Sequence, residues 1–227
     1  MKPLASAPNL VERVYGAILD DILDGALVPG EHLVQEQLAA NLGVSRQPIQ
    51  QALALLKADG LIEDFGKRGL TVTRLDLARM KHHYEVRAVL DRYAARAAAA
   101  RVQAGTITSR DVDARARPIL EAGIAAVVAG SMRDQIHHDE ALHKLIYELS
   151  GNPALAEAAE PSWRFLRRAM ADVLRHAEPP REIWAQHQEI VAAIVAGEPD
   201  TAERLAHDHD SVAADTLATA LAGRTSG

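Results

Sequence analysis

Apolar residues recur one helical turn apart through the first third of the chain. The spacing of Val14, Ile18 and Ile22 predicts a helix over residues 9–24, and a shorter helix is predicted over residues 34–42. A glycine follows each segment, and glycine readily adopts the left-handed conformation that a helix C-terminus requires. The pattern therefore favours two short helices in succession.

A third helix is predicted to begin after Ser45, a residue type favoured at the N-cap. One of its faces carries an apolar stripe, made up of Ile49, Ala52, Leu53 and Leu56. The opposite face carries uncharged amides and a single arginine: Arg46, Gln47, Gln50 and Gln51. A solvated helix usually mixes charges of both signs, so this face indicates a partner other than water.

A β-hairpin is predicted after the third helix. The short apolar segments 61–62 and 70–73 flank a glycine-rich tip at residues 65–69. Three helices and a hairpin, with a tight turn between the second and third helices, make up a winged helix-turn-helix. In that fold the N-terminus of the third helix enters the major groove of DNA, where glutamine pairs with adenine and arginine with guanine.

DNA contacts are therefore expected from the third helix and the hairpin tip. The predicted DNA-binding residues are Ser45, Arg46, Gln47, Gln50, Lys67, Arg68 and Gly69. Taken alone, the third helix would also suit the solvated surface of a small protein-binding domain. The turn, the N-cap and the basic hairpin tip together favour DNA.

From residue 76 onward the pattern is helical throughout and rich in alanine. Helices are predicted over residues 76–103, 108–129, 133–150, 153–176, 180–196 and 198–222, with glycine or proline at the breaks. The expected fold is mostly α. A winged helix-turn-helix domain over residues 1–75 is followed by an all-α helical bundle over residues 76–227.

Composition and charge narrow the class of protein. The 227 residues are 48% apolar and contain no cysteine, which suits a globular protein without disulfides or thiolate metal sites. The N-terminus lacks the apolar stretch of a signal peptide, and no run approaches the ~20 apolar residues of a membrane span. We expect a cytoplasmic protein that does not bind membranes.

The net charge of −6 bears on how the chain would bind DNA. Residues 1–75 contain seven Lys and Arg residues against nine Asp and Glu residues. Since contacts to phosphates supply most of the affinity for DNA, a single copy would bind weakly. We therefore expect a homodimer that reads two half-sites of a double-stranded operator.

Four residues of the second half suggest a metal site. Asp139 and His143 are spaced i,i+4 and so share one helix face. His187 falls on the predicted helix 180–196, and His209 lies 22 residues later. One carboxylate with three imidazoles suits a divalent transition metal such as Zn, Ni or Mn. The alternative is that these are separate surface or core histidines, because short His and Asp spacings often match by chance.

The chain also resembles a known family. The run GALVPGEHLVQEQLAANLGVSRQPIQQALALLKADGLI resembles the DNA-binding domain of GntR-family bacterial transcriptional regulators, and the downstream helices resemble the FCD ligand-binding domain of its FadR-type subfamily. The likeness covers almost the whole chain. The family usually has Val-Arg-Glu-Ala-Leu where this chain has Ile-Gln-Gln-Ala-Leu at residues 49–53. Gln50 thus replaces the family's second recognition arginine, which indicates an adenine-biased contact.

The same resemblance implies a metal ligand set. The family's Asp and His, four residues apart and followed by a Gly-Asn turn, match Asp139 and His143. Its later histidines fall on His187 and His209. His207 is the nearby alternative to His209, but the two point about 200° apart on a helix, and the register favours His209.

An effector site is implied as well. Arg87 matches an arginine that faces the ligand cavity in similar proteins, and a guanidinium can bind a carboxylate through two hydrogen bonds. An i,i+4 ion pair with Asp91 is the alternative for this arginine. The resemblance implies that a small organic acid binds in the helical bundle, at the metal and Arg87.

The expected function is that of a homodimeric transcriptional regulator, a repressor, whose operator binding depends on a small carboxylate effector. The main alternative is a helical metallohydrolase that uses the same Asp and His cluster. That alternative lacks a general base, because Glu140 is predicted to point away from Asp139, and it leaves residues 1–75 unexplained. A purely structural dimerisation bundle is the third possibility.

Overall fold

The chain divides into two compact units, Met1–Leu75 and Asp76–Gly227. The computed structural model describes residues 10–66, 69–174 and 181–222, and each unit is treated by itself. None of the described helices is both long enough and apolar enough to cross a membrane.

The first unit combines three helices with a small antiparallel sheet. Its elements are α1 (Leu10–Asp24), β1 (His32–Leu33), α2 (Gln35–Leu42), α3 (Arg46–Ala58), β2 (Ile62–Phe65) and β3 (Gly69–Val72). The strand order is β1-β3-β2, and the hairpin register pairs Ile62 with Val72 and Phe65 with Gly69. The predicted winged helix-turn-helix is confirmed, and β1 is an addition that the sequence pattern did not predict.

The apolar stripes of the three helices form the core of this unit. Ile18 of α1 and Ile49 and Leu56 of α3 are fully buried. Burying a side chain of this size contributes ~1.5–3 kcal/mol. Gly43, with φ of 64°, ends α2 in the left-handed conformation, so that α3 can start three residues later.

The second unit is a bundle of long helices. Its elements are α4 (Leu77–Gln103), α5 (Ser109–Ala129), α6 (Met132–Ser150), α7 (Ala154–Leu174), α8 (Arg181–Ala196) and α9 (Pro199–Ala222). The predicted starts of α4, α5, α6, α7 and α9 differ from the observed ones by one residue, and the predicted ends of α4, α5, α6 and α8 coincide with them. The predicted end of α7 at residue 176 and start of α8 at residue 180 lie outside the described residues. Asp76 caps α4 by accepting hydrogen bonds from the backbone N–H groups of Ala78 and Arg79.

Helix α4 lies at the centre of the bundle and packs against α6, α7, α8 and α9. Its fully buried positions include Ala94, Ala95, Ala98 and Ala99, and these small side chains allow the neighbouring helices to approach closely. Trp184 of α8 packs directly over Gly123 of α5, where an added Cβ would lie 1.9 Å from the indole ring. The alanine-rich sequence therefore builds a tightly packed bundle around one central helix.

Candidate functional site

The exposed face of α3 carries the side chains expected to contact DNA. Arg46, Gln47 and Gln50 all point to solvent. The Arg46 guanidinium forms an ion pair with Glu36 of α2, with Nη2 2.6 Å from Oε1 and both side chains about two-thirds exposed. Exposed ion pairs contribute only ~0–1 kcal/mol, so Glu36 orients Arg46 without preventing a contact to a base.

Ser45 and Gly69 are the other described residues of the predicted DNA-binding set. Ser45 occupies the N-cap of α3 in an extended conformation, but its hydroxyl makes no capping hydrogen bond. That hydroxyl is exposed and can therefore donate to a phosphate. At Gly69 an added Cβ would lie 2.8 Å from the carbonyl oxygen of Phe65, so the close hairpin pairing requires glycine. Lys67 and Arg68 lie outside the described residues.

In the second unit, four predicted metal ligands come together. One ligand atom from each of Asp139, His143, His187 and His209 lies within 4.8 Å of the others, and all four residues are buried. Asp139 and His143 project from α6, His187 from α8 and His209 from α9. His207, the alternative on α9, is exposed. One carboxylate and three imidazoles are a donor set that binds divalent transition metals.

His209 is held in the tautomer that a metal ligand needs. Its Nδ1 lies 3.0 Å from Oε1 of Gln186, which can only accept a hydrogen bond. Nδ1 therefore carries the proton, and the lone pair of Nε2 faces the cluster. Burial, together with nearby His187, lowers the pKa of His209 well below its ordinary value, so the ring stays neutral.

His143 is oriented in the same way by a carboxylate. Its Nδ1 lies 3.0 Å from Oδ2 of Asp91 and donates to it, which leaves the lone pair on Nε2. That lone pair accepts from Nη2 of Arg87 at 3.0 Å. Since one lone pair serves one partner, His143 Nε2 either accepts from Arg87 or binds a metal.

His187 lies between the other ligands. Its Nε2 is 3.3 Å from Oδ1 of Asp139 and 3.2 Å from Nε2 of His209. Its Nδ1 is buried and has no hydrogen-bond partner among the described residues, nor does Oδ2 of Asp139. Burial lowers the pKa of His187 well below its ordinary value. The unsatisfied polar atoms and the neutral rings both fit a site built to receive a cation.

Arg87 lies beside this cluster and is already paired with two carboxylates. Its Nε is 3.1 Å from Oδ2 of Asp91, and its Nη2 is 3.1 Å from Oδ1 of Asp210. The guanidinium also stacks over the Trp163 ring at 4.0 Å. The ion pair with Asp91 is therefore present, as one interpretation of the sequence expected. Nη1 has no hydrogen-bond partner in the described part of the chain, and effector binding by Arg87 stays a prediction.

Charge is unevenly balanced in this buried region. Asp91, Asp139 and Asp210 lie around the single guanidinium of Arg87. Burial raises the pKa of both Asp139 and Asp210, whereas Arg87 and His143 overcome the burial of Asp91 and keep its pKa below the ordinary value. A divalent cation would offset the negative charge that appears when these carboxyl groups ionise.

Several site residues were not identified from the sequence. Gln186 orients His209, Asp210 pairs with Arg87, and the Tyr147 hydroxyl donates to Asp91. Gln186 and Asp210 are chain neighbours of two predicted ligands, His187 and His209. The sequence shows that they adjoin the ligands. It does not show that Gln186 of α8 binds His209 of α9, or that Asp210 of α9 pairs with Arg87 of α4.

A cavity of about 110 Å³ lies beside the cluster. Arg87, Asp139 and His209 form part of its wall, together with Tyr84. The Tyr84 hydroxyl is buried and has no hydrogen-bond partner within the described residues, and burial raises its pKa, so it remains protonated. The predicted effector-binding arginine and two predicted metal ligands thus share one cavity.

Two protein-family models match the chain. The model of the bacterial regulatory proteins of the gntR family matches residues 10–72, and the model of the FCD domain matches residues 82–211.

Relatives and solved structures agree with these matches. An uncharacterized HTH-type transcriptional regulator of an unstable DNA locus in Streptomyces ambofaciens is 29% identical over 210 residues, 86% of this chain and 80% of that protein. The HTH-type transcriptional repressor RspR of Escherichia coli K12 is 22% identical over 198 residues, 87% of this chain and 84% of that protein. The structure of E. coli McbR/YncC is similar in fold, with a TM-score of 0.78 and 22% identity over 93% of this chain and 98% of that one.

Proposed function

Because this chain belongs to the GntR family of DNA-binding transcriptional regulators and carries an FCD domain, we propose that a small carboxylate bound beside a divalent metal controls its binding to DNA. One observation carries this proposal. Asp139, His143, His187 and His209 place four ligand atoms within 4.8 Å of one another, buried, next to a cavity that Arg87 also lines.

The first unit supplies the contact to DNA. Arg46, Gln47 and Gln50 read base edges in the major groove, and Ser45 and the hairpin tip contact phosphates. The net negative charge of residues 1–75 favours a homodimer on two half-sites, since one copy gains little affinity from phosphates. The protein would act as a repressor. The relative RspR, which is named a repressor, supports this part of the proposal.

The second unit supplies the sensor. Asp139, His143, His187 and His209 would hold Zn, Ni or Mn, and a bound metal supplies a Lewis-acidic site for an oxygen ligand. Arg87 would donate from Nη1 to the carboxylate of the effector. Binding can alter the affinity for DNA only if the effector prefers one arrangement of the dimer over the other.

The protein is a regulator and not an enzyme, because its family and its relatives are transcriptional regulators. Glu140, the one further carboxylate next to the cluster on α6, is engaged elsewhere. Its Oε1 lies 2.7 Å from Nζ of Lys144, and its Oε2 lies 3.4 Å from Nη1 of Arg167. A general base for metal-assisted hydrolysis would have to come from another residue.

The test uses untagged, metal-loaded protein and an operator selected from random DNA duplexes by repeated rounds of binding. The selected sequences should contain two related half-sites, and carboxylates should be titrated against the complex by fluorescence anisotropy. The His187→Ala variant should bind the same duplex with unchanged affinity but no longer respond to any acid that acts on the wild type. A response that survives in this variant, or that survives removal of the metal, would disprove control through the metal site.

A further inference from the structure

The cavity beside the cluster has a polar end, made up of Tyr84, Arg87, Asp139 and His209. Asp139 and His209 are also proposed metal ligands. The remainder of the wall is largely apolar and comes from α6, α7, α8 and α9. Its larger apolar side chains are Ile136, Met170, Val173, Leu174, Ile183, Trp184 and Leu217.

We infer that the effector is a monocarboxylate with a short hydrocarbon tail, and not a hydroxylated acid such as a sugar acid. The inference rests on the proposed function, because the metal and Arg87 are what would hold the carboxylate at the polar end. The tail would then extend along the apolar wall. The site thus combines one anionic anchor with one hydrophobic compartment.

The size of the cavity limits the length of that tail. Its volume of about 110 Å³ is somewhat below the ~150 Å³ of an engineered apolar cavity that binds benzene. A tail of about four to six carbon atoms fits this space. Larger ring systems or long fatty acyl chains do not.

The scarcity of polar groups on the wall disfavours hydroxylated ligands. Besides the four residues of the polar end, the polar side chains among the described lining residues are Gln135 and Thr216. Gluconate carries five hydroxyl groups, and two side chains cannot satisfy them all. Each hydroxyl buried without a partner lowers affinity about fivefold or more, whereas each buried methylene raises affinity about fourfold.

Hexanoate and gluconate make a matched pair of probes, since both have six carbon atoms and one carboxylate. Isothermal titration calorimetry on untagged, full-length, metal-loaded protein should show hexanoate binding at least about tenfold more tightly than gluconate. Affinity should also rise from acetate through butanoate to hexanoate, by about fourfold per methylene.

A variant of the apolar wall separates specific binding from surface adsorption. Met170 is half-buried and lines the cavity, and Met132, at the start of α6, is half-buried but does not. Met170→Gln should weaken hexanoate binding about fivefold, because it places an amide beside the tail. Met132→Gln should leave the affinity unchanged.

The outcomes distinguish this inference from the proposed function. Binding of gluconate in preference to hexanoate, or binding of neither acid to protein that holds one metal ion per chain, would overturn the inference and leave the metal site standing. Hexanoate binding that survives removal of the metal would support the apolar compartment and contradict the proposal that the metal holds the carboxylate. Protein that takes up no metal and binds neither acid would refute both.

Discussion

His187 and His209 face each other through their Nε2 atoms, 3.2 Å apart, although 22 residues separate them in the chain. His209 is fixed with its Nε2 lone pair toward His187 by the hydrogen bond to Gln186. Nε2 of His187 faces two acceptors, this lone pair and Oδ1 of Asp139, and therefore carries the proton, while its Nδ1 is unpaired within the described structure. One ring of the pair is thus preset as a ligand, and the other must move its proton from Nε2 to Nδ1 before Nε2 can bind a metal.

Gln186 should tune the affinity for metal without binding the metal itself. Outer hydrogen bonds to ligating histidines are worth ~10–100-fold in metal affinity. We expect Gln186→Ala to weaken metal binding by about that factor, as measured by competition with a chromogenic chelator. Gln188→Ala is the matched control, since Gln188 lies two residues away on α8 and is exposed. Equal affinities for the two variants would show that Gln186 does not set the tautomer of His209.

The two histidines of α9 give a second, sharper comparison. His209 is buried in the cluster, and His207 is exposed. His209→Ala should reduce the metal content of untagged protein, measured by mass spectrometry, from stoichiometric to trace, while His207→Ala should leave it unchanged. Circular dichroism controls for folding in both variants. Full metal content in His209→Ala would mean that the metal is held by a different ligand set.

Helical periodicity explains why the cluster could be anticipated from sequence. Asp139 and His143 share a face because they are four residues apart. A two-residue step turns a side chain to the other side of the helix, so His207 and His209 could not both point inward, and the register of the FCD resemblance selected His209. The same periodicity predicted the buried stripe of α3. Local spacing was thus sufficient for residues whose role depends on one helix.

The spacing of residues along the chain could not predict contacts between different helices and strands. The pair of Arg46 and Glu36 joins two helices across the turn. Ser45 occupies the predicted N-cap, but its hydroxyl makes no capping hydrogen bond. Strand β1 has two residues, too few to show an alternating pattern. Its partner strand β3, some 40 residues away, defines it through backbone hydrogen bonds.

Metal affinity should rise with pH because of Asp139. Burial raises the pKa of this carboxyl above its ordinary value of 3.8, so at acidic pH a proton competes with the metal for it. His187 and His209 add little competition, since burial lowers the pKa of both. If metal binding releases one proton, the free energy of metal binding changes by about 1.4 kcal/mol, or tenfold in affinity, per pH unit.

Chelator competition at a series of pH values measures this dependence. The slope should approach one decade per pH unit where Asp139 is protonated and flatten where the carboxyl has ionised. An affinity that falls as pH rises would contradict proton competition at this residue. In the metal-free protein, the lowered pKa values of His187 and His209 affect the stability of the fold. The free energy of unfolding should decrease as the pH falls below 6.5, because the unfolded chain then binds protons that the buried rings do not.

The hydroxyl of Tyr84 should donate to the bound carboxylate. It is buried, lines the cavity beside Arg87 and lacks a partner among the described residues. Tyr84→Phe removes only this hydroxyl and should weaken hexanoate binding by ~0.5–1.5 kcal/mol, the net value of one hydrogen bond. Tyr93→Phe, at an exposed position on the same helix, is the matched control. Tighter binding to Tyr84→Phe would place the carboxylate elsewhere in the cavity.

Arg46 should carry base recognition in the DNA-binding unit. Its guanidinium is exposed at the N-terminus of α3 and forms a surface ion pair with Glu36. Such a pair contributes ~0–1 kcal/mol, so Arg46 can leave Glu36 and bind a guanine instead. Arg46→Ala should therefore cost ~1–3 kcal/mol per half-site on the selected operator and abolish the preference at one base pair. A mere phosphate contact would behave differently. Its loss would weaken binding to all duplexes alike and reduce the salt dependence by about one ion.

Two further variants complete that measurement. Arg13→Ala removes an exposed arginine of α1, outside the predicted DNA-binding set, and should leave the base preference intact. Gln50→Ala should relax an adenine preference at a different base pair from Arg46→Ala, because the two side chains lie one turn apart on α3. Anisotropy titrations against single-base variants of the operator resolve the two positions. If neither variant changes the base preference while overall affinity falls, α3 contacts only the backbone, and sequence is read by another part of the chain.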